Sequence, residues 1–191
     1  KWRKIHPETV PVAAKACADL ADAHEQEGDQ DEAAESLRRG LTIIEGRDDD
    51  EGGSVRIQLW NRLGRLELQA GKMTAAIALF AQALDLAEKL EDQYQAAGLL
   101  GNLGGAYARQ KDSSKALHFT ERALRASEAL GDQIGVARQS FNLALLRLQA
   151  GQTNAARQLL RGSHEAAKRS GWREGIAMST AAMQKLGDFP T

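Results

Sequence analysis

Apolar residues recur at three- and four-residue steps along almost the whole chain, broken at near-regular intervals by short polar turns near Gly28, Gly71, Lys111 and Gly151. That spacing predicts helices with one buried face, and each break divides a segment into an antiparallel pair. First helices are predicted near 8–27, 54–70, 92–110, 132–150 and 172–186. Second helices are predicted near 30–46, 73–90, 113–130 and 153–170. A ninth helix over 172–186 has no partner; it carries Trp172, Ile176 and Met183 and is expected to cover the apolar end of the stack. Asp29 with Glu32 reads as a capping box, and Ser54, Ser113 and Asp132 stand where N-caps are expected.

The pairs are copies of one unit. RLGRLELQAGKMTAAIALFAQAL from Arg62, NLGGAYARQKDSSKALHFTERAL from Asn102 and NLALLRLQAGQTNAARQLLRGSH from Asn142 align with starts 40 residues apart. DLADAHEQEGDQDEAAESLRRGL from Asp19 aligns with the same internal spacing at an offset of 43, and the extra three residues are assigned to a loop from Asp48 to Gly53. Three aligned positions are small in every copy: Ala21, Gly64, Gly104 and Ala144; Ala33, Ala76, Ala116 and Ala156; Gly40, Ala83, Ala123 and Ser163. Small residues in register let helices cross closely. The leucine before the first set, at Leu20, Leu63, Leu103 and Leu143, is expected to fill the space between hairpins.

Composition agrees with an all-α reading and narrows the function. Hydrophobic residues make 42% of the 191, charged residues 27% and aromatics only 5%, which suits a folded helical protein and not a β-sandwich. A formal net charge of -1 gives no bulk attraction to nucleic acid or to an anionic membrane, and no apolar run reaches the length of a transmembrane helix. Cys17 is the single cysteine, so a disulfide framework and a thiolate zinc site are both excluded, and a cytoplasmic location is expected. The chain begins at Lys1 without a methionine or an apolar leader and reads as a piece of a longer protein.

The small-residue pattern, with Trp60 four before Gly64, Tyr107 three after Gly104 and Phe80 four after Ala76, resembles the tetratricopeptide repeat. The period is longer than that family's 34 and a helix-ending proline is missing, which makes the chain similar to the long-repeat arrays of kinesin light chain and the Pins-type adaptors. The resemblance implies one right-handed α-solenoid over 8–186, with hairpins at 8–46, 54–90, 92–130 and 132–170 and a capping helix at 172–186. Its concave wall, built from first helices, is the implied binding surface. On this sequence the lining positions are Gln58, Arg62, Arg65 and Gln69; Gly98, Asn102, Gly105 and Arg109; Arg138, Asn142, Leu145 and Gln149.

Asn102 and Asn142 fall where the long-repeat adaptors use an asparagine ladder to hold an extended peptide. A side-chain amide is both donor and acceptor, so it pairs with peptide N–H and C=O without reading sequence. Solvated asparagines on an exposed face are the competing reading. Gly98, Gly101 and Gly105 share that predicted face and cost helix stability, which points either to a bare strip of backbone for a ligand or to close contact with a neighbouring helix. Arg62, Arg65, Arg109 and Arg138 predict a positive wall and hence an acidic partner segment; arginines paired within the chain are the alternative. Asp19, Asp22 and Glu25 make the first copy acidic instead, and Asp48 to Glu51 read as a solvated acidic loop.

No enzyme is expected. The histidines at 6, 24, 118 and 164 lie on separate segments without metal-ligand spacing; His164 stands at a core leucine position and reads as structural. Gly71-Lys72 and GNLGG lack the Walker spacing. The expected role is a protein-binding adaptor or scaffold, monomeric and without cofactor or metal. The alternative is a structural or sensory module acting by self-association or interdomain packing.

Overall fold

A computed structural model describes residues 9–47 and 49–187. Nine α-helices and no strands are found among them: α1 (Val10–Glu27), α2 (Gln30–Ile44), α3 (Asp50–Gln69), α4 (Met73–Lys89), α5 (Gln93–Arg109), α6 (Ser113–Ala129), α7 (Gln133–Gln149), α8 (Thr153–Ser170) and α9 (Arg173–Lys185). No described helix is long and apolar enough to cross a membrane. The helices gather into two compact units that divide between Gln95 and Ala96.

In the first unit α1 pairs with α2 and α3 with α4, and α3 also lies on α2. Ala21, Ala33, Leu37, Ile44, Leu59, Leu63 and Leu66 are buried in one cluster, each large aliphatic side chain contributing about 1.5–3 kcal/mol on leaving water. Phe80 of α4 is fully buried, and Gly64 of α3 makes room for it: a Cβ added at Gly64 would stand 2.6 Å from the Phe80 ring. In the second unit α7 pairs with α8, α9 packs on α8, and Met183 of α9 is buried with Ala144, Ala156 and Leu160. Ala137, Ala166 and Ala167 form a second cluster, flanked by Trp172 and Ile176. All twelve aligned small residues are buried, as the close crossings require.

The breaks form as predicted because the chain there enters the left-handed region. Gly28, Gly71 and Gly151 have φ of 88°, 76° and 73°, and Lys111 takes 64° at the same place in its copy. Three of the four hairpins thus use the residue that adopts this turn without steric cost.

Several local expectations are corrected. The extra three residues of the second copy lie in no loop: α3 runs 20 residues against 17 for α5 and α7, so they extend its N-terminus. Ser54 therefore lies inside α3, and Asp49 caps it by accepting from the Gly52 N–H at 2.7 Å. Asp50 and Glu51 form the first helical turn, where carboxylates face the positive end of the helix dipole; Asp48 lies outside the described residues, as does His6. Asp112, not Ser113, caps α6, and Asp132 caps α7 as expected. Asp29 makes no cap bond, so the proposed capping box with Glu32 is not formed. Leu20 is 44% exposed while Leu63, Leu103 and Leu143 are buried, since among the described residues no hairpin precedes α1 to cover it.

The junctions between hairpins carry a polar device. Arg38 of α2 donates to Glu67 of α3 at 2.6 Å, and Lys72 lies 3.1 Å from the other Glu67 oxygen. At the same repeat positions in the second unit, Arg147 of α7 donates to Glu121 of α6 at 2.9 Å and to Gln152 at 3.0 Å. The pair is the same and its polarity is reversed.

Candidate functional site on α5, α7 and α9

The sequence-predicted positions divide by unit. In the first, Gln58, Arg65 and Gln69 are exposed on α3, and Arg62 is half-buried. Arg62 donates to Asp22 and lies 3.6 Å from Glu25, both on α1. The carboxylates that make the first copy acidic thus neutralise this arginine, so Arg62 does not add to a positive wall. For Arg62 the alternative reading, an arginine paired within the chain, is the one found.

In the second unit, Gly98, Arg109, Arg138, Leu145 and Gln149 are exposed, and Asn102, Gly105 and Asn142 are half-buried. A cleft of about 120 Å³ lies between α5 and α7, lined by Gly104, Gly105, Ala108, Thr120, Asn142, Leu145, Leu146 and Gln149. Four of the predicted residues line it, and no lining residue is charged. A Cβ added at Gly105 or Gly98 would meet nothing within 4 Å, so both leave backbone bare. Gly101 is different: it is buried, and an added Cβ would run into the amide of Gln139. Helix packing explains this glycine, and it is no part of an open strip.

Gln139 is itself buried, and Asn142 Nδ2 donates to its Oε1 at 3.5 Å. This long bond is the one internal hydrogen bond of the Asn142 side chain with a described residue, so its carbonyl and second N–H remain available. Arg138, one turn before Asn142, has its guanidinium 5.5 Å from the centre of the Trp172 ring, and no carboxylate of the described residues pairs with it. A second, smaller pocket of about 20 Å³ is lined by Arg138, Phe141, Asn142, Ser163, Trp172, Gly175 and Met178. Asn142 lines both hollows. Sequence reading places this helix among the first helices but takes none of its residues into the site, although its register carries the signal: α9 begins 40 residues after α7, and Gly175 and Met183 stand at the positions of Gly135 and Leu143. It occupies the register of a fifth first helix.

Elsewhere, a cleft of about 330 Å³ is lined by Leu41, Thr42, Glu45, Arg56 and Trp60 of α2 and α3, away from the predicted positions. His24, Glu27 and Asp29 bring ligand atoms within 4.8 Å of one another at the first hairpin turn. Glu27 and Asp29 are exposed, an arrangement a polar turn produces without any ion. His164 Nδ1 lies 3.1 Å from the buried Ser179 hydroxyl, which donates in turn to the Gly175 carbonyl, a structural role as expected. Cys17 is half-buried beside Gly40. The Asp49 carboxyl is held below its usual range by the Gly52 N–H and then by Arg47.

Tetratricopeptide repeat models match residues 55–129 and 14–46, together more than half of the chain. No protein of curated function matches the sequence. Among solved structures, BtubC (BKLC) from P. vanneervenii aligns with 22% identity over 90% of this chain and 68% of its own, at a TM-score of 0.76. Aspartyl phosphate phosphatase F from Bacillus subtilis gives 14% identity over 89% of this chain and 44% of its own, at 0.81. The Rap conjugation gene regulator of plasmid pLS20, solved in complex with the Phr* peptide, gives 18% over 95% and 48%, at 0.78. The chain spans less than half the length of the last two, and identities at this level carry the fold alone. The aligned small residues, the stacked hairpins and the matching models lead to one conclusion: this chain belongs to the tetratricopeptide repeat family.

Proposed function

We propose that this protein is a non-enzymatic interaction module whose α5–α7–α9 face binds an extended, acidic segment of another protein. The observation that carries this reading is the cleft between α5 and α7: bare backbone at Gly105 on one side, Asn142 with open donor and acceptor on the other, and no carboxylate in the lining. An extended peptide has unpaired N–H and C=O groups that an amide side chain satisfies. Arg138, with no carboxylate partner, sets the preferred charge of that peptide. The pLS20 Rap regulator, which shares the fold, is seen with a peptide bound. Gly98, Asn102 and Arg109 of α5 and Leu145 and Gln149 of α7 complete the proposed set.

The test is titration of an arrayed library of fluorescent peptides, acidic, neutral and basic, against the wild type, Arg138→Glu and Asn142→Ala, each shown folded by circular dichroism. Binding confined to acidic peptides and weakened in both variants supports the reading. Equal binding by all three proteins would show that this face is not the site.

A second reading has its own observation. Val12 and Leu20 of α1 are 63% and 44% exposed, an apolar edge suited to end-on association with another helical repeat. Sedimentation across a concentration series separates the two: self-association reversed by Leu20→Glu would favour a structural module.

A further inference from the structure

The small pocket at α7, α8 and α9 has a different chemistry from the cleft beside it, and it adds a specificity that an amide contact cannot supply. It is lined by Phe141, Trp172, Met178, Gly175, Ser163 and Arg138 together with Asn142. Two of these residues leave the hollow unfilled. A Cβ at Gly175 would overlap the Trp172 ring, so the bare Cα lets the indole lie flat against α9. Ser163 is turned away, since its hydroxyl donates to the Ala137 carbonyl at 2.7 Å and is satisfied there. What remains is an apolar hollow with a cation over one wall.

Resting on the proposal of a peptide-binding face, we infer that this pocket reads one residue of the bound segment: a small apolar side chain, alanine in size, next to a carboxylate held by Arg138. Size sets the first part. A hollow of about 20 Å³ holds one methyl-sized group and no more. Charge sets the second. The indole occupies the face of the Arg138 guanidinium, and its N–H edge, unpaired with any described carboxylate, is left to form a bidentate bond. Asn142 lines this pocket and the α5–α7 cleft together, so a peptide held by Asn142 in the cleft passes the pocket rim.

The experiment uses an arrayed peptide library with one acidic residue fixed and each neighbour varied through Gly, Ala, Val, Leu and Phe, titrated against the wild type, Met178→Ala and Trp172→Leu. Met178 is 39% exposed, so its truncation widens the pocket without emptying a core. The wild type is expected to favour Ala over Gly about fourfold at one neighbour position, the gain of burying one methyl, and to reject Phe. Met178→Ala is expected to move the optimum to Leu, and Trp172→Leu to abolish the size preference while acidic peptides still bind. Acidic peptides bound without any size preference, or with one that Met178→Ala leaves unmoved, would overturn the pocket while sparing the peptide-binding face. No binding of any acidic peptide would overturn both.

Discussion

The two units are built from the same repeat and do opposite things with the same positions. On the first, Arg62 stands where Asn102 and Asn142 stand in the later copies, and its charge is consumed by Asp22 and Glu25 of the preceding first helix. On the second, Asn142 holds the position with open hydrogen-bonding capacity, and the nearby Arg138 is stacked on Trp172 with no carboxylate partner among the described residues. A face whose charges satisfy each other gains stability and offers little to a ligand. A face with unpaired donors forgoes that stability and keeps binding capacity.

The largest lesion that separates the units is in their cores. Phe80 fills the space over Gly64, and Thr120 stands at the same position over Gly104. Phe80→Ala is expected to cost about 3–5 kcal/mol, whereas Thr120→Ala removes few atoms and costs about 1 kcal/mol. In a Trp2→Phe background, Trp60 reports on the first unit and Trp172 on the second during urea unfolding. Phe80→Ala should lower the Trp60 midpoint much further than the Trp172 midpoint; equal shifts would mean that the units unfold as one.

Next in size is the contrast in binding. Arg138→Glu should weaken acidic peptides about tenfold to a hundredfold, the cost of replacing attraction with repulsion at a partly desolvated site. Arg62→Glu should leave peptide affinity unchanged and instead lower the stability of the first unit, because it sets three carboxylates together. Fluorescence titration and thermal melting of the two variants test this directly. A loss of affinity in Arg62→Glu matching that in Arg138→Glu would remove the distinction between the faces.

The reversed junctions allow a sharper exchange. Glu67→Arg places a cation beside Arg38 and Lys72 at a site that is nearly buried, and should cost about 2 kcal/mol. The triple variant Arg38→Glu, Glu67→Arg, Lys72→Gln reproduces the arrangement of Glu121, Arg147 and Gln152, and should recover most of that loss in urea unfolding. Failure to recover would show that the two junctions are not equivalent in geometry.

Much of this was legible from spacing alone. Helix positions, turns and the twelve small residues follow from hydrophobic period and register, because those patterns are local or repeat exactly where the packing repeats. The site was read less fully. Register placed Gly105, Asn142, Leu145 and Gln149 on one face, and they do line one cleft. Register could not show that Asp22 would consume the charge of Arg62, nor that Gln139 would occupy the space above Gly101, since both depend on side-chain partners from another helix. The three added residues near Asp50 read as a loop by register alone; the cap at Asp49 and the carboxylates of the first turn favour helix there.

The glycines of α5 give a smaller and opposite pair of effects. Gly98→Ala adds a methyl to open space within a helix and should raise stability by up to about 1 kcal/mol. Gly101→Ala gains the same propensity but must displace the buried Gln139 amide, and should lower stability by about 1 kcal/mol net. Thermal melts of both, side by side, decide the matter, and a stabilised Gly101→Ala would mean that the Gln139 side chain moves aside freely.

The smallest effect concerns pH and the start of α3. Asp49 accepts from the Gly52 N–H at 2.7 Å and its Oδ2 lies 2.6 Å from Arg47 Nε, and both hold its carboxyl below the ordinary 3.8. A carboxyl with a depressed folded-state value binds its proton more readily when unfolded, so its contribution is fully present above pH 3.8 and is lost as pH falls through the folded value. Exposure to solvent keeps that contribution small. Fraying of the first turn of α3 should therefore increase on acidification, seen as faster amide exchange at Gly52 and Gly53 relative to the interior of the same helix. Asp49→Asn should remove the pH dependence while retaining part of the cap, because the amide oxygen still accepts from Gly52. Asp29, the corresponding residue of α2, makes no cap bond, so Asp29→Asn should leave exchange at the start of α2 unchanged. Equal responses of the two helices to these substitutions would show that Asp49 does not anchor the turn it precedes.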